Sequence, residues 1–286
     1  MGSIGVVAMK IVVLVKQVPD SGLERGLQAD PPTLDRSSVD NVINEMDEYA
    51  IEEGRRLQEE HDAELVLITM GPLGAEETIR KALQRGGDGA VHIVDDALAG
   101  SCALATSRVL AAAVALQRPD LVLCGAESTD GRGQVMAHML AERLGLAAVT
   151  GARKLTVTVL PPGPEPADQV FTGIEPTSIE VTVERQLEDG YEVVTAAGPV
   201  LVSVWDTINQ PRLPSFKAIL AARGKMIHRI GIADLGIDPQ EVGLPGASSQ
   251  VLEHSRRPAG RAGVRVVDTG DGATQLVDYL AAEKVL

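Results

Sequence analysis

Aromatic residues are scarce in this chain, whose 286 residues include one Trp, three Tyr and two Phe. The core must therefore be aliphatic, and functions that stack bases or sugars against aromatic rings are disfavoured. Cysteine is equally sparse, because Cys102 and Cys124 are the only two and have neither metal-ligand nor disulfide-framework spacing. Such cysteine usage is typical of a reducing compartment, so we predict a cytoplasmic location.

Positive charge is also in short supply. Lys and Arg number 26 against 40 Asp and Glu, which gives a formal net charge of −14. Binding to nucleic acid or to an anionic membrane needs a basic surface, so we expect neither as a partner. No apolar run approaches the roughly 20 residues that span a bilayer, so we expect no membrane insertion.

What the first 150 residues do contain is an alternation of apolar runs and helical patterns. Runs rich in Val, Leu and Ile begin at Lys10, Ala63, Gly89 and Asp120, and they are typical of strands buried on both faces. Helices are predicted at 45–60, 75–85, 101–117 and 134–144. Strands and helices in this order predict an α/β fold, with a mostly parallel sheet and helices on both faces.

The pattern changes after residue 150 to short β-rich runs separated by Pro and Gly. The Asp189-Gly190 pair is typical of a tight hairpin between two such runs. We predict antiparallel strands that extend one edge of the sheet. The predicted runs lie at 153–160, 167–174, 177–186, 191–198 and 199–205.

The C-terminal part is weakly patterned. After a predicted helix at 216–223, the stretch 231–263 is too long for an ordinary loop in a compact domain. A strand at 263–267 and a helix at 273–282 follow, and they cannot bury a core of their own. The predicted organisation is an N-terminal extension at 1–8, an α/β nucleotide-binding domain at 9–230, and a C-terminal arm at 231–286 that docks on another subunit.

Three strand-end turns on one sheet edge outline a nucleotide-sized crevice. The sequence GAESTDGRGQ, residues 125–134, follows a buried strand and opens a helix, as a phosphate-binding turn does. A plain glycine-rich connection is the alternative. Asn44 and Asp47 begin a helix, where helix capping is the simpler interpretation. The third turn is TMGP, residues 69–72.

No catalytic constellation is visible in the sequence. The five histidines are scattered, and there is neither a Gly-x-Ser-x-Gly elbow nor a paired-cysteine redox motif. We therefore expect no metal site and no catalytic residue. The carboxylates Glu52, Glu53, Glu59 and Glu60 are predicted to form a solvated helix face, and Cys124 to lie in the core.

Several stretches in order resemble the β subunit of electron transfer flavoprotein. They are KIVVLVKQVPD from Lys10, NEMDEYAIEEG from Asn44, TMGP with the helix after it, VERQLEDGYEVV from Val183, and GPVLVSVWDTINQPRLPSFKAILAARGKMI from Gly198. The resemblance covers nearly the whole chain. It implies an adenine-nucleotide α-hydrolase-like fold, and an electron carrier rather than an enzyme.

The resemblance also implies cofactors and partners. The family pairs with an α subunit, shares FAD with it, buries a structural AMP, and passes electrons from acyl-CoA dehydrogenases in fatty acid β-oxidation to a quinone oxidoreductase. Some relatives bind a second FAD in place of AMP and bifurcate electrons, and that alternative stays open. The residues expected at the cofactors are Leu14, Asn44, Met46, Met70, Ser128, Thr129, Asp130, Gly131, Arg132, Gly133, Gln134 and Val135.

A Pro-bracketed loop is the expected docking site for dehydrogenases. Its residues are Pro211, Arg212, Leu213, Pro214, Ser215 and Phe216. From the residues alone, Phe216 is predicted in the core, because isolated aromatics usually pack inward. The resemblance instead implies that Phe216 is exposed and inserts into a pocket on the dehydrogenase. The rival function is an adenine-nucleotide hydrolase or nucleotide sensor on the same α/β fold.

Overall fold

The computed structural model describes residues 9–160, 179–255, 263 and 265–285. The predicted extension at 1–8 and the predicted strand at 167–174 lie outside these residues. The chain divides into two compact units at Val251. None of the helices in the described part of the chain is long and apolar enough to cross a bilayer.

The first unit contains every strand of the described chain. They are β1 (Lys10–Leu14), β2 (Gln17–Pro19), β3 (Asn41–Ile43), β4 (Glu64–Met70), β5 (Gly89–Ile93), β6 (Leu121–Gly125), β7 (Ala147–Val159), β8 (Ile179–Leu187), β9 (Gly190–Ala197), β10 (Val200–Val204) and β11 (Ile227–Ile230). The helices of this unit are α1 (Glu45–His61), α2 (Ala75–Arg85), α3 (Ala103–Gln117), α4 (Met136–Leu144) and α5 (Phe216–Gly224).

Nine strands form one sheet in the order β11-β5-β4-β1-β6-β10-β7-β8-β9, and β2 pairs with β3 separately. In this order, every neighbouring pair from β11 to β7 is parallel. The last two pairs, β7 with β8 and β8 with β9, are antiparallel. This confirms the predicted fold class, including the antiparallel strands at one edge. The turn at 188–189 joins β8 to β9 as a hairpin, because Leu187 pairs with Gly190.

The aliphatic core is split by the sheet into two layers. On one face α1, α2 and α5 pack against the sheet, and on the other face α3 and α4 do so. The central strands are buried on both faces, while β8 alternates between buried and partly exposed residues, as expected of an antiparallel strand with one covered face. Large side chains of the two layers include Ile51, Leu57, Ile79 and Leu83 on the first face, and Val109, Val114 and Leu140 on the second.

Three predictions about strands need correction. The run at 199–205 was expected to be antiparallel, but β10 lies between β6 and β7 and is parallel to both. All five of its residues are buried, which is the pattern of a central parallel strand. The prediction missed β11, which is short and partly exposed. The predicted strand at 263–267 is absent from its described residues, 263 and 265–267.

The boundary between the units also differs from the predicted one at 230. Ile232 and Val242 are buried in the core of the first unit. The backbone N–H of Gly243 donates to Ser101 Oγ at 2.8 Å, and that of Leu244 donates to the Ala99 carbonyl at 3.1 Å. The segment 231–251 therefore completes the first unit rather than forming an arm.

The second unit is smaller, and its described residues contain one helix, α6 (Gly272–Ala282). Asp268 Oδ1 accepts hydrogen bonds from the N–H groups of Gly270 and Gly272, so it orders the turn that leads into this helix. Leu276, Val277 and Leu280 recur at helical spacing and give the helix one apolar face.

Candidate functional site

The turn 125–135 connects β6 to α4 at the carboxyl edge of the sheet, and a buried carboxylate fixes its start. Asp47 Oδ1 accepts the N–H of Gly125 at 3.2 Å, and Oδ2 accepts the N–H of Lys16 at 2.7 Å. Burial raises the pKa of Asp47 to about 6, although both backbone donors act to lower it. Asp47 thus joins the ends of β1 and β6 to the start of α1.

Asn44 holds the middle of the same turn. Its Nδ2 donates to the Glu127 carbonyl at 2.8 Å, and its Oδ1 accepts the N–H of Thr129 at 3.0 Å. Asn44 does occupy the N-cap position of α1, but its side chain makes no capping hydrogen bond there. The capping interpretation is therefore wrong for the side chain, whose two polar atoms both serve the turn.

Gly125 is required by this close contact. A Cβ atom on Gly125 would lie 2.6 Å from Met46 Cβ and 2.6 Å from Asp47 Oδ1, too close for any other residue. The glycines further along the turn are different. A Cβ on Gly133 would meet only Val135 Cγ2, at 3.7 Å. Gly125 thus serves packing against α1, a Cβ on Gly131 would lie 3.2 Å from Ser128 Oγ, and only Gly133 leaves open space beside the turn.

Asp130 joins the turn to two cations. Its Oδ1 lies 2.6 Å from Lys16 Nζ and its Oδ2 lies 2.7 Å from Arg36 Nη2, while its side chain is 2% exposed. Burial alone would raise the pKa of Asp130, but Lys16, Ser128 and Arg36 outweigh it and hold that pKa below its usual value.

Lys16, Arg25 and Arg36 are site residues that sequence reasoning missed. Arg25 Nη1 donates to the Thr129 carbonyl, and Lys16 Nζ also donates to Ser128 Oγ at 3.2 Å. Lys16 follows the end of β1 by two residues, at the carboxyl edge of the sheet where open α/β sheets bind ligands. This position could have indicated Lys16 as a site residue from the sequence. Arg25 and Arg36 come from the segment between β2 and β3, and no local pattern ties them to a turn about 100 residues away.

The end of the turn has the backbone geometry of an anion site. Arg132 and Gln134 adopt left-handed φ angles of 48° and 54°, which are uncommon for residues other than glycine. Backbone N–H groups in alternating conformations form concave nests that bind anions. The next element, α4, begins without a side-chain cap, so its first N–H groups have no partner within the helix.

Leu14 and Met70, which the resemblance implies at the nucleotide, lie at the ends of two neighbouring strands. Leu14 ends β1 and is buried, and Met70 ends β4 and is partly buried. Both strands are neighbours in the sheet, and β6 lies on the other side of β1. Thr129 Oγ1 is buried and has no hydrogen-bond partner among the described residues. A buried hydroxyl without a partner in the described chain, beside the backbone N–H groups of the turn, fits an anionic group such as a phosphate.

A cleft of about 270 Å³ adjoins the turn on the side of β10 and β7. Ala126 and Gln134 line it from the turn, and Trp205, His138 and Arg185 line it from other elements. The lining of this cleft shares Ala126 and Gln134 with the turn but includes neither Leu14 nor Met70.

The Pro-bracketed segment places apolar side chains in solvent. Phe216 is 76% exposed at the start of α5, and Leu213 is 84% exposed. The prediction of a core position for Phe216 is therefore wrong. Ser215 Oγ accepts the N–H of Ala218 at 3.2 Å and caps α5, which fixes where Phe216 leaves the loop.

The carboxylates of α1 also differ from prediction. Glu52 is 7% exposed and Glu53 is 2% exposed, whereas both were expected to be solvated. Their partners, Arg212 and Asn209, lie more than 150 residues away in sequence, so helical spacing alone did not reveal them. Glu59 and Glu60 are exposed, as predicted.

Other candidate groups have no catalytic arrangement. In the residues that the structure describes, no group of three or more His, Cys, Asp or Glu side chains is placed to hold a metal ion. Cys124 is buried as predicted, and burial raises the pKa of its thiol to about 12. A thiol with that pKa is not a nucleophile at neutral pH.

Comparison with known proteins identifies close relatives. The family model of the electron transfer flavoprotein domain matches residues 33–235. The chain is 39% identical over 282 residues to the electron transfer flavoprotein subunit beta of Mycobacterium tuberculosis, a match that covers 96% of this chain and 99% of that protein. It is 36% identical to the protein of the same name from Thermoanaerobacterium thermosaccharolyticum, over 97% and 100% of the two chains. It is 29% identical to the caffeyl-CoA reductase-Etf complex subunit CarD of Acetobacterium woodii, again over 97% and 100%.

Proposed function

This chain belongs to the family of electron transfer flavoprotein β subunits, and we propose that it works in a heterodimer that carries electrons from acyl-CoA dehydrogenases to a quinone oxidoreductase. It is an electron-transfer subunit rather than a classical enzyme. FAD, shared with an α subunit, supplies the redox chemistry when bound. This chain covers the flavin from the side of Met46, at the start of α1.

An adenine nucleotide, AMP, binds in the crevice at the ends of β1, β4 and β6. The observation that supports this most strongly is the turn 125–135, which Asn44, Asp47 and Lys16 hold in an anion-binding conformation. The backbone N–H groups of 133–135 and the hydroxyls of Ser128 and Thr129 bind the phosphate, whereas the N–H of Arg132 donates to the Ser128 carbonyl at 2.8 Å within the turn. Leu14 and Met70 line the base. Asp130 keeps the turn in place through its two cations.

The exposed segment from Pro211 to Phe216 docks the dehydrogenase. Two prolines stiffen it, and Leu213 and Phe216 offer apolar side chains that a pocket on a partner would bury. The second unit supplies the contact with the α subunit, through the apolar face of α6. These two surfaces give the chain separate regions for its permanent and its transient partner.

A nucleotide hydrolase is the weaker candidate. Hydrolysis needs a carboxylate that is free to hold a metal ion or to activate water. The turn contains two carboxylates, Glu127 and Asp130. Both oxygens of Asp130 are bonded to cations of the chain itself, and Glu127 Oε2 accepts from Gln134 Nε2 at 2.8 Å.

The test is to co-express the chain with its α subunit and to analyse the purified heterodimer. We expect a yellow complex whose acid extract contains one FAD and one AMP per heterodimer. A second FAD in place of AMP would indicate the bifurcating variant of the family. Absence of any adenine nucleotide beyond one FAD would contradict the AMP site, and nucleotide turnover by this chain alone would favour the hydrolase.

A further inference from the structure

The docking segment is fastened to the body by buried carboxylates of α1. Residues 205–215 form neither helix nor strand. We propose that Glu52 and Glu53 are positioning residues, which hold 209–216 in one conformation and so present Leu213 and Phe216 to an electron-donating partner. This inference rests on the proposed function, because the segment matters only if a partner docks there.

Glu52 contacts Arg212 in two places. Its Oε1 accepts the Arg212 Nε–H at 2.5 Å, and its Oε2 accepts the backbone N–H of the same residue at 3.2 Å. One carboxylate therefore fixes both the main chain and the side chain of Arg212. Glu59, two turns further along α1, accepts from Arg212 Nη1 at 3.1 Å. Hydrogen bonds between a guanidinium and a carboxylate are charge-assisted and therefore stronger than bonds between neutral groups.

Glu53 holds the start of the segment. Asn209 Nδ2 donates to Glu53 Oε2 at 3.1 Å and to the Tyr49 carbonyl at 3.0 Å. The other oxygen of Glu53 accepts from Arg56 Nη2 at 2.7 Å. The two neighbouring carboxylates thus hold different residues of the segment, since Glu53 contacts Asn209 and Glu52 contacts Arg212.

The C-terminal end of α5, the helix that follows the segment, is held from α2. Arg80 Nη1 donates to the carbonyls of Ala222 and Lys225, at 3.0 and 2.7 Å, and Lys225 Nζ donates to the Leu83 carbonyl at 3.0 Å. The segment and α5 are therefore fixed at both ends, while the side chains between them project into solvent.

Burial makes this anchor cooperative. A buried carboxylate is costly unless it is paired and hydrogen-bonded, so release of the segment would strand Glu52 without its guanidinium partner. The conformation of 209–216 that Glu52 holds is consequently favoured before any partner binds. Its conformational entropy is lost on folding rather than on binding, which strengthens binding to a partner.

Two variants test the anchor from opposite sides, in the heterodimer with the α subunit. Glu52→Gln weakens the buried partner, and Arg212→Met removes the exposed one. Glu77→Gln is the control, because Glu77 is an exposed helical glutamate on α2 that pairs with Lys81. Hydrogen exchange is measured at the backbone amides of 209–216 other than Pro211 and Pro214. Electron transfer is measured against the concentration of a purified acyl-CoA dehydrogenase reduced by its substrate.

We expect both variants to speed exchange at 209–216 and to raise the half-saturating concentration of the dehydrogenase about fivefold or more, with the limiting rate and the flavin content within about twofold of the unaltered protein. The effects of the two substitutions should be less than additive in the double variant, because both remove the same ion pair. Glu77→Gln should change neither readout.

Other outcomes overturn the proposal. Unchanged exchange in both variants would show that the carboxylates do not hold the segment. Faster exchange with an unchanged half-saturating concentration, when Phe216→Ala does impair transfer, would show that positioning is not needed. If Phe216→Ala also leaves transfer unchanged, the docking role of the segment is wrong and the positioning role falls with it. Electron transfer by the unaltered heterodimer would still uphold the proposed function in that case.

Discussion

Asp47 is a buried carboxyl that accepts two backbone hydrogen bonds, and this has a consequence for pH. Its pKa of about 6 lies above the ordinary value of 3.8, chiefly because of burial. Between these values the folded chain binds more protons than the unfolded chain, so the contribution of Asp47 to stability is greatest below pH 4 and declines as pH rises to 6. The size of this decline is on the order of 3 kcal/mol.

The free energy of unfolding should therefore decline less between pH 4 and 6 in Asp47→Asn than in the unaltered protein. Asn keeps one acceptor but leaves the N–H of Lys16 or Gly125 without a partner, so the variant should be less stable by about 1–3 kcal/mol at the acidic end. Urea unfolding of both proteins at several pH values measures the difference. Parallel profiles for the two proteins would contradict the assignment.

Gly125 and Gly133 lie in the same turn but should respond differently to an added side chain. Gly125→Ala forces a Cβ against Met46 and Asp47 at 2.6 Å, and we expect a loss of about 2 kcal/mol or more in the free energy of unfolding. The matched control is Gly133→Ala, where the nearest atom is 3.7 Å away. Equal stability of the two variants in urea unfolding would show that the turn is not held against α1.

Gly133 bears on the nucleotide rather than on folding. Gly133→Val meets little of the chain itself, but the side chain would occupy the space beside the proposed phosphate site. We expect the heterodimer to lose most of its AMP while its FAD content is unchanged, measured by chromatography of acid extracts. Retention of a full equivalent of AMP would place the phosphate elsewhere.

At the scale of elements, α1 is the helix on which both proposed sites depend. Its first turn holds the nucleotide turn through Asn44 and Asp47, and its second and third turns hold the docking segment through Glu52 and Glu53. The sequence predicted this helix and its start correctly. It did not predict the carboxylate contacts, because hydrophobic periodicity reports which face of a helix is apolar but not which distant polar group covers the rest.

Strand pairing was the other limit of prediction. The limits of α2, from Ala75 to Arg85, follow from its regular pattern and match the structure at both ends. β10 was assigned to the wrong kind of pairing, because a short apolar run after a hairpin fits either an edge or a central position. Its full burial decides the matter, and burial is a property of the assembled sheet. The cations at the nucleotide turn were missed for a related reason, since Arg25 and Arg36 contact it only through the fold.

The docking helix α5 carries a prediction of its own. Phe216→Ala should leave the melting temperature and flavin content nearly unchanged, because the side chain is 76% exposed. Electron transfer from an acyl-CoA dehydrogenase should slow by at least about tenfold, as expected for an apolar anchor in a partner pocket. Leu116→Ala is the control, since Leu116 is 62% exposed on α3, a helix on the other face of the sheet. A large loss of melting temperature with normal transfer per folded molecule would contradict the docking role.

For the whole molecule, the division at Val251 decides where the chain can be cut. A cut at the predicted arm boundary, after Ala233, would remove Val242, which is fully buried, and the contacts of Gly243 and Leu244 with the loop before α3. Loss of a buried side chain of this kind costs several kcal/mol. We therefore expect that truncation to destabilise the first unit, apart from any effect on assembly.

A cut after Val251 separates folding from assembly. The first unit keeps its complete core, so its urea unfolding midpoint should stay close to that of the full chain. If the second unit docks on the α subunit through α6, the same truncation should abolish co-purification of the α subunit at an equal ratio. Substitution of Leu276 and Leu280 by Ser in the full chain provides the matched test, because it removes the apolar face while it keeps the chain length. Equal co-purification of both altered chains with the α subunit would show that the α/β unit alone provides the subunit interface.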